Sequence, residues 1–513
     1  MSTHAQAHAH THADADADAN AHAPAHALAP VDPWLWARTV GEVYAAGLDP
    51  RGVGRRQRDA RLARLLAVAS AESPFYRARC GAAPSGGPGL AQFEPVDKAE
   101  LMRGFDTWAT DRRITREGVD NFLSDPTRLA DAFLGRYMVW TSSGTSGQPG
   151  IFVQDAQSLA VYDALDALRL RGTNGSLGWG TGGRFAFVAA TGGHFAGVAS
   201  IERLRRIAAT LTPPFVLPLM PWLAPQIRTF SVQDSLAELA QQLQAYSPTV
   251  LISYPSCAAA LAQLQAQGAL ALKLAEVWVG GEQLTNEQRL QIRSAFGAVL
   301  RNNYGASEFF TMAWECPQGR LHLNDDWLVL EPVDKRGRPV PPGEASHSVL
   351  LTNLANQVQP LIRYRLGDSL RFEPQACPCG SRFPVIEVQG RADHTLVLHD
   401  AHDRPVTLLP LALMTVIEEG ARVAQFQLLC TGPDELELRF DAELVDPQAA
   451  FGRAHAALRA YLARQGLAHV RVLHGHAAPL RQARSGKLCR VMAAPRVPTR
   501  AGGTSTEARH RHR

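Results

Sequence analysis

The densest run of potential ligand groups is Thr141-Ser142-Ser143-Gly144-Thr145-Ser146-Gly147, which follows the apolar stretch Tyr137–Trp140. Glycines let backbone approach a ligand closely, and free N–H groups and hydroxyls can surround phosphate oxygens. No Gly-Lys-Ser/Thr follows, so this is not a Walker loop. Taken alone, the run also fits an ordinary polar turn. A second set comprises Cys316, His322, Cys377 and Cys379, in the segments ECPQGRLHLN and ACPCGS. A Cys-x5-His pair and a Cys-x-Cys pair supply three thiolates and an imidazole, a full tetrahedral set for structural Zn²⁺. The other reading is three free thiols and a polar histidine.

Four more segments follow the hydroxyl-rich run in order. They are Asn302–Phe310 (NNYGASEFF), Leu361–Asp368 (LIRYRLGD), Gly390–Asp393 (GRAD) and Ser485–Arg490 (SGKLCR). Together with TSSGTSGQPG they resemble the adenylate-forming superfamily of acyl-CoA ligases. Ser73-Pro74-Phe75-Tyr76-Arg77, Lys98–Leu101 and Tyr254-Pro255-Ser256 are similar to motifs of its phenylacetate–coenzyme A ligase group. The resemblance spans roughly residues 55–495.

It implies a two-step reaction. A carboxylate attacks the α-phosphate of ATP, giving an acyl-adenylate and pyrophosphate, and a thiol, usually that of coenzyme A, then displaces AMP. The first step gathers negative charge at phosphorus, so cations and hydrogen-bond donors must converge there. Carried over by motif, Thr141, Ser142, Ser143, Gly144, Thr145 and Ser146 hold the β- and γ-phosphates. Glu308 binds Mg²⁺, a hard cation that prefers oxygen ligands. Tyr304 stacks on adenine, flanked by Asn303, with Gly305 leaving space beside the nucleotide. Asp368 accepts the ribose hydroxyls, Arg391 contacts the ribose, and Asp393 is the hinge of a small domain. Lys487 reaches the α-phosphate. Gly281 and Glu282 fall where the family builds its acyl and adenine pocket. Members of the group carry a similar Cys/His arrangement, beside the nucleotide site.

Two departures stand out. The lysine the family often has near the end of the phosphate loop is replaced by Pro149-Gly150. After GRAD, the Gly-rich turn that helps seat the pantetheine arm of coenzyme A is absent from His394–Asp403. The second departure leaves the acceptor open between coenzyme A, an amine and a carrier-protein thiol. A degenerate nucleotide-binding protein is the reading from another class, and retention of Lys487, Glu308 and Asp368 counts against it.

These residues need a large scaffold. The 513-residue chain suits two to four folding units at roughly 100–200 residues each. With 46% apolar and 19% charged residues it has the composition of a globular enzyme. A formal net charge of +4 gives no reason to expect a nucleic-acid or membrane partner. A run of about 18 apolar residues and a signal-peptide pattern are both missing, and the seven cysteines show no disulfide framework, so a cytoplasmic location is expected. A small-molecule acid is the expected partner; a carrier protein and a homodimer are compatible.

Short apolar runs at Phe185–Ala190, Thr249–Ser253, Glu276–Val279 and Ser348–Thr352 predict buried strands. Helical spacing over 55–72, Val232–Tyr246 and Cys257–Ala266 predicts helices between several of them. The alternation predicts an α/β fold with substantial parallel sheet. Beyond Gln389–Asp393, strands at Gln425–Cys430, Glu435–Phe440 and 469–473 and a helix near 447–465 predict a small α+β unit. The expected division is a His/Ala-rich disordered tail (1–32), a large multi-sheet adenylation domain with helices on its sheets (33–389), a small mobile α+β lid domain (390–496) and a second disordered tail (497–513).

Overall fold

A computed structural model of the chain describes residues 31–48, 52–80, 88–142, 149–170, 183–191, 194–211, 226–389, 395–421, 423, 426–440, 444, 446–480 and 489–493. Ser143 to Ser146, Arg391, Asp393 and Lys487 lie outside these residues.

The chain enters through the helices Pro33–Leu48 and Val53–Glu72, the second matching the span predicted from 55–72. A hairpin follows, β1 (Met138–Thr141) against β2 (Ile151–Gln154). The main sheet then takes β3 (Arg184–Ala189), β4 (Gln226–Ser231), β5 (Val250–Ser253), β6 (Glu276–Gly280), β7 (Val299–Ala306), β8 (Phe309–Glu315) and β9 (Leu321–Leu323). After an excursion through β10 (Leu328–Val333), β11 (Ser348–Asn353) and β12 (Tyr364–Arg365), the chain returns to the main sheet with β13 (Ser369–Phe372) and β14 (Val385–Gln389).

The nine strands of the main sheet run in the order β13-β14-β9-β8-β7-β6-β5-β3-β4. From β4 to β7 every pairing is parallel; from β7 to β13 every pairing is antiparallel. The parallel half is the predicted α/β layer. Its inner strands β3, β5 and β6 are apolar runs buried along most of their length. The predicted strand at Ser348–Thr352 is β11, but it belongs to the separate antiparallel sheet β10-β11-β12. An apolar run reports burial, not the direction of the neighbouring strand.

Local signals fix the helix ends. The helix expected from Val232 starts at Leu236, because Ser235 and Glu238 form a reciprocal capping box there. The helix expected from Cys257 starts at Pro255, whose fixed φ and missing N–H suit a first turn.

Beyond residue 394 come the hairpin β15 (Leu396–His399) and β16 (Pro405–Leu408) and the helix Pro410–Ala421. Strands β17 (Phe426–Gly432) and β18 (Glu435–Phe440), the helix Pro447–Arg464, β19 (Arg471–Gly475) and β20 (Val491–Ala493) complete this α+β unit. One hydrophobic core joins the N-terminal helices to β1, β2, β8, β10 and β11. A second runs from the parallel strands into the helix Pro410–Ala421 and the sheet β19-β18-β17-β20.

Candidate active site

The strand order changes direction at β3. From β3 the chain steps outward to β4, whereas from β5 it steps the other way to β6. The helices after β3 and β5 therefore diverge, and a crevice opens at the carboxyl ends of the strands. A cleft of about 1440 Å³ lies there. Val188 and Ala190, Ser253 and Tyr254, Gly280 and Gly281, and Asn302 to Ser307 line it from β3, β5, β6 and β7.

Thr141 and Ser142 close one side. The Thr141 amide donates to the His194 carbonyl at 2.8 Å. Ser142 and Gly150 clasp each other across the base of the hydroxyl-rich loop, through Ser142 N–H to Gly150 O (2.8 Å) and Gly150 N–H to Ser142 Oγ (3.0 Å). Lys98, on the helix Lys98–Arg103, donates from Nζ to Ser142 Oγ at 3.3 Å and lines the cleft. The loop's root thus carries a cation although its own end is Pro149-Gly150.

Two tyrosine–carboxylate pairs bring the separate segments NNYGASEFF and LIRYRLGD together. Tyr304 donates its hydroxyl to Asp368 Oδ2 at 2.9 Å, and Tyr364 donates to Glu308 Oε1 at 2.7 Å. Burial, and then the facing carboxylate, pushes the pKa of both phenols upward, so each stays a donor. Glu308 is buried and lines the cleft, and its carbonyl accepts from Asn353 Nδ2 at 2.9 Å. Asn303 Oδ1 is enclosed with no partner among the described residues. Gly305 lines the cleft too, and its missing side chain has a further cause. β7 bulges between Tyr304 and Ala306, and a Cβ on Gly305 would sit 1.9 Å from the Phe310 carbonyl oxygen. Gly281 adopts φ +79° beside the Tyr254 ring, and Glu282 Oε2 accepts from the Ser256 amide at 3.0 Å, at the start of the helix Pro255–Ala266.

No protein-family model matches the chain. It is similar to phenylacetate-coenzyme A ligase of Thermus thermophilus, with 26% identity over 406 residues, covering 76% of this chain and 82% of that one. Protein CapK of Staphylococcus aureus is 25% identical over 142 residues, 27% of this chain and 30% of that one. A solved structure of 2-hydroxyisobutyryl-CoA ligase with its acyl-AMP and CoA superposes with a TM-score of 0.53 at 22% identity, covering 88% of this chain and 91% of that one. The same ligase in its postadenylation state gives 0.51 at 19% identity. The chain is thus similar in sequence to one coenzyme A ligase and shares its fold with another.

A C-terminal α+β unit follows the main α/β body. Here it reaches the cleft through Leu411, Met414, Thr415 and Glu418 of the helix Pro410–Ala421 and through Arg490. Arg490, 5% exposed, forms an ion pair with Glu418. The cleft therefore gathers Thr141, Ser142, Gly281, Glu282, Asn303, Tyr304, Gly305, Glu308 and Asp368. Lys98, Tyr364 and Arg490 line it as well without having been singled out as site residues, although all three fall inside quoted motifs. Their side-chain partners lie 44, 56 and 72 residues away, and sequence spacing does not report such contacts.

The Cys/His set converges separately. The ligand atoms of Cys316, His322, Cys377 and Cys379 all lie within 4.8 Å of one another. Two turns present them. Gly319 N–H returns to Cys316 O at 2.8 Å and Gly380 N–H to Cys377 O at 3.2 Å, with both glycines at positive φ. Cys316 Sγ and Cys377 Sγ are 3.8 Å apart, and Cys379 Sγ is 3.3 Å from His322 Nε2. His322 Nδ1–H donates to the Phe383 carbonyl at 2.8 Å, which leaves the Nε2 lone pair facing the thiols. Burial lowers the imidazole pKa, favouring the neutral form that binds metal.

Proposed function

We propose that the chain is an ATP-dependent, AMP-forming ligase that activates an aromatic or arylalkyl carboxylic acid as its acyl-adenylate and passes the acyl group to coenzyme A. The reading rests above all on Glu308 and Asp368. Each is held by a tyrosine hydroxyl, and both face one cleft with the Lys98–Ser142 root of the hydroxyl-rich loop. In the first step a carboxylate oxygen of the acid forms a bond to the α-phosphorus as the bond to the bridging pyrophosphate oxygen breaks. Thr141, Ser142 and the loop that follows supply donors to the leaving phosphates, and Lys98 adds positive charge at the loop's root. Lys487, a flexible point cation, offsets the charge that appears on the α-phosphate. Asp368 and Arg391 hold the ribose, Tyr304 packs on the base, and the orphaned Asn303 Oδ1 suits an amine hydrogen. Glu308 is the Mg²⁺ ligand, and Mg²⁺ when bound neutralises phosphate charge. In the second step the thiol sulfur attacks the acyl carbon, AMP leaves, and the thiol proton is released.

Lys487→Ala tests the assignment. ATP–pyrophosphate exchange should fall by orders of magnitude while ATP binding persists. A rate within about threefold of the parent, roughly 0.7 kcal/mol of barrier, would remove Lys487 from the reaction.

A second reading, transfer to an amine or a carrier-protein thiol, is favoured by the β15–β16 turn. The Gly-rich turn is replaced by a tight one in which Asp400 accepts from the His402 and Arg404 amides and Asp403 takes φ +60°. AMP release measured with coenzyme A, with amines and with no acceptor separates the two readings.

The Cys/His set is proposed as a structural Zn²⁺ site. A tetrahedral ion with Zn–S bonds of about 2.3 Å puts two sulfurs about 3.8 Å apart. Cys316 and Cys377 have that spacing.

A further inference from the structure

We propose that the cleft selects an acid carrying a hydrogen-bond-donating substituent, a hydroxyl or an amine, at the end remote from its carboxylate, and that Asp163, positioned by Arg203, receives it. This rests on the ligase reading above and adds a substrate class to it.

Arg203 is 4% exposed, yet it lines the cleft. Its Nη1 donates to both carboxylate oxygens of Asp163, at 3.1 and 3.0 Å, and its Nε has no partner among the described residues. The Asp163 side chain also lines the cleft and keeps 23% of its surface open. The neighbouring wall is apolar: Leu159, Tyr162, Phe187, Phe195, Ile201 and Leu204. An ion pair whose arginine is buried is seldom the most stable filling for such a wall, and apolar residues of similar volume are often as good or better. Stability therefore gives little reason for this pair, whereas an incoming polar group does. Asp166, the nearest other carboxylate in the chain, already accepts from Thr311 Oγ1 at 2.5 Å. It opens a π-helical turn, Asp166–Leu170, directly after the helix that carries Asp163, and such turns cluster at functional sites.

The helix that carries Arg203 begins beside the root of the phosphate loop. Phe195 bridges Thr141, and the helix Ala196–Leu211 starts one residue later. Arg203 lies seven residues along that helix, about 10 Å from its start at 1.5 Å per residue. Arg203 carries a charge that Asp163 neutralises, so the site accepts a donor without requiring a second acid group.

ATP–pyrophosphate exchange with matched acids on phenyl, phenylacetyl and straight-chain frames, each unsubstituted or carrying a terminal hydroxyl, amino or methyl group, tests this. On at least one frame the hydroxyl or amino acid should exceed both the methyl and the unsubstituted acid in kcat/KM by at least about tenfold. The double variant Asp163→Leu/Arg203→Met removes both charges together and should fold with a near-parental melting temperature while reversing the ranking. The single variant Asp163→Asn should shrink the preference and serves if the double variant does not fold. A parent enzyme that prefers methyl or unsubstituted acids on every frame, or a folded variant that keeps the parental ranking, overturns the inference and leaves the ligase reading standing. Absence of exchange with every frame overturns the ligase reading and this inference with it.

Discussion

A methyl group added at Gly305 meets backbone rather than a movable side chain: its carbon would lie 1.9 Å from the Phe310 carbonyl oxygen. The β7 bulge would have to open, carrying Tyr304 and Glu308 with it. Gly305→Ala should lower stability by about 1–3 kcal/mol and weaken ATP binding; a melting temperature and affinity matching the parent would show that the bulge yields freely. Asp325 gives a pH test. Burial, and then neighbouring Asp326, pushes its carboxyl up to about 6. That lies above the unfolded value of about 3.9, so the folded chain holds this proton more tightly. The stabilisation is full below about pH 4 and is lost as pH rises to 6. Asp325→Asn should therefore gain about 1–2 kcal/mol at pH 7, discounted because the side chain is 32% exposed beside Arg58. The gain should vanish near pH 4 in denaturant titrations, and an equal gain at both pH values would assign it to something other than this proton.

Elements differ in how plainly the sequence announced them. β3, β5 and β6 are buried on both faces, so their apolar runs stand out. The β7–β9 meander does not. Val299–Ala306 is half-buried after its first residue, with Asn302 and Asn303 on the cleft, and leaves no alternation to read. The Cys/His set could be read from residue chemistry alone, whereas Asp163 and Arg203 could not. Arg203 sits in Arg203-Leu204-Arg205-Arg206, which resembles a solvated helix face until the helix is laid over the cleft. Arg169 is a similar case. It lies on the π-helical turn, 7% exposed, bonded to Asp326 at 2.6 and 2.7 Å and to Asn324 at 2.5 Å, with its guanidinium over Phe383 and Trp314. Removing it strands a buried carboxylate. Arg169→Met should cost about 3–5 kcal/mol, and Arg169→Met/Asp326→Leu should recover much of that. A single variant as stable as the parent in urea would mean water reaches Asp326.

At the scale of the whole molecule, the Cys/His set ties β8 and β9 to the segment entering β14. No helix among the described residues is long and apolar enough to cross a membrane. Zinc bound at this set closes a loop that contains Tyr364 and Asp368. Chelation should therefore lower the melting temperature and weaken ATP binding together, with affinity for the metal falling in acid as thiolates protonate. Metal analysis of protein lacking residues 1–30 should find one ion per chain. A Cys377→Ser/Cys379→Ser variant with an unchanged melting temperature would leave these as ordinary thiols.

The same connectivity sets a schedule for synthesis. His322 and Cys379 are 57 residues apart, and between them the chain builds β10, β11, β12 and the edge strand β13 before β14 pairs with β9. At about 5–20 residues per second, Cys316 and His322 wait about 3–13 s for Cys377 and Cys379 to be made. Strand β14 cannot pair with β9 until after that interval. The antiparallel half of the sheet is therefore completed late during translation, after every strand of the parallel half has been made.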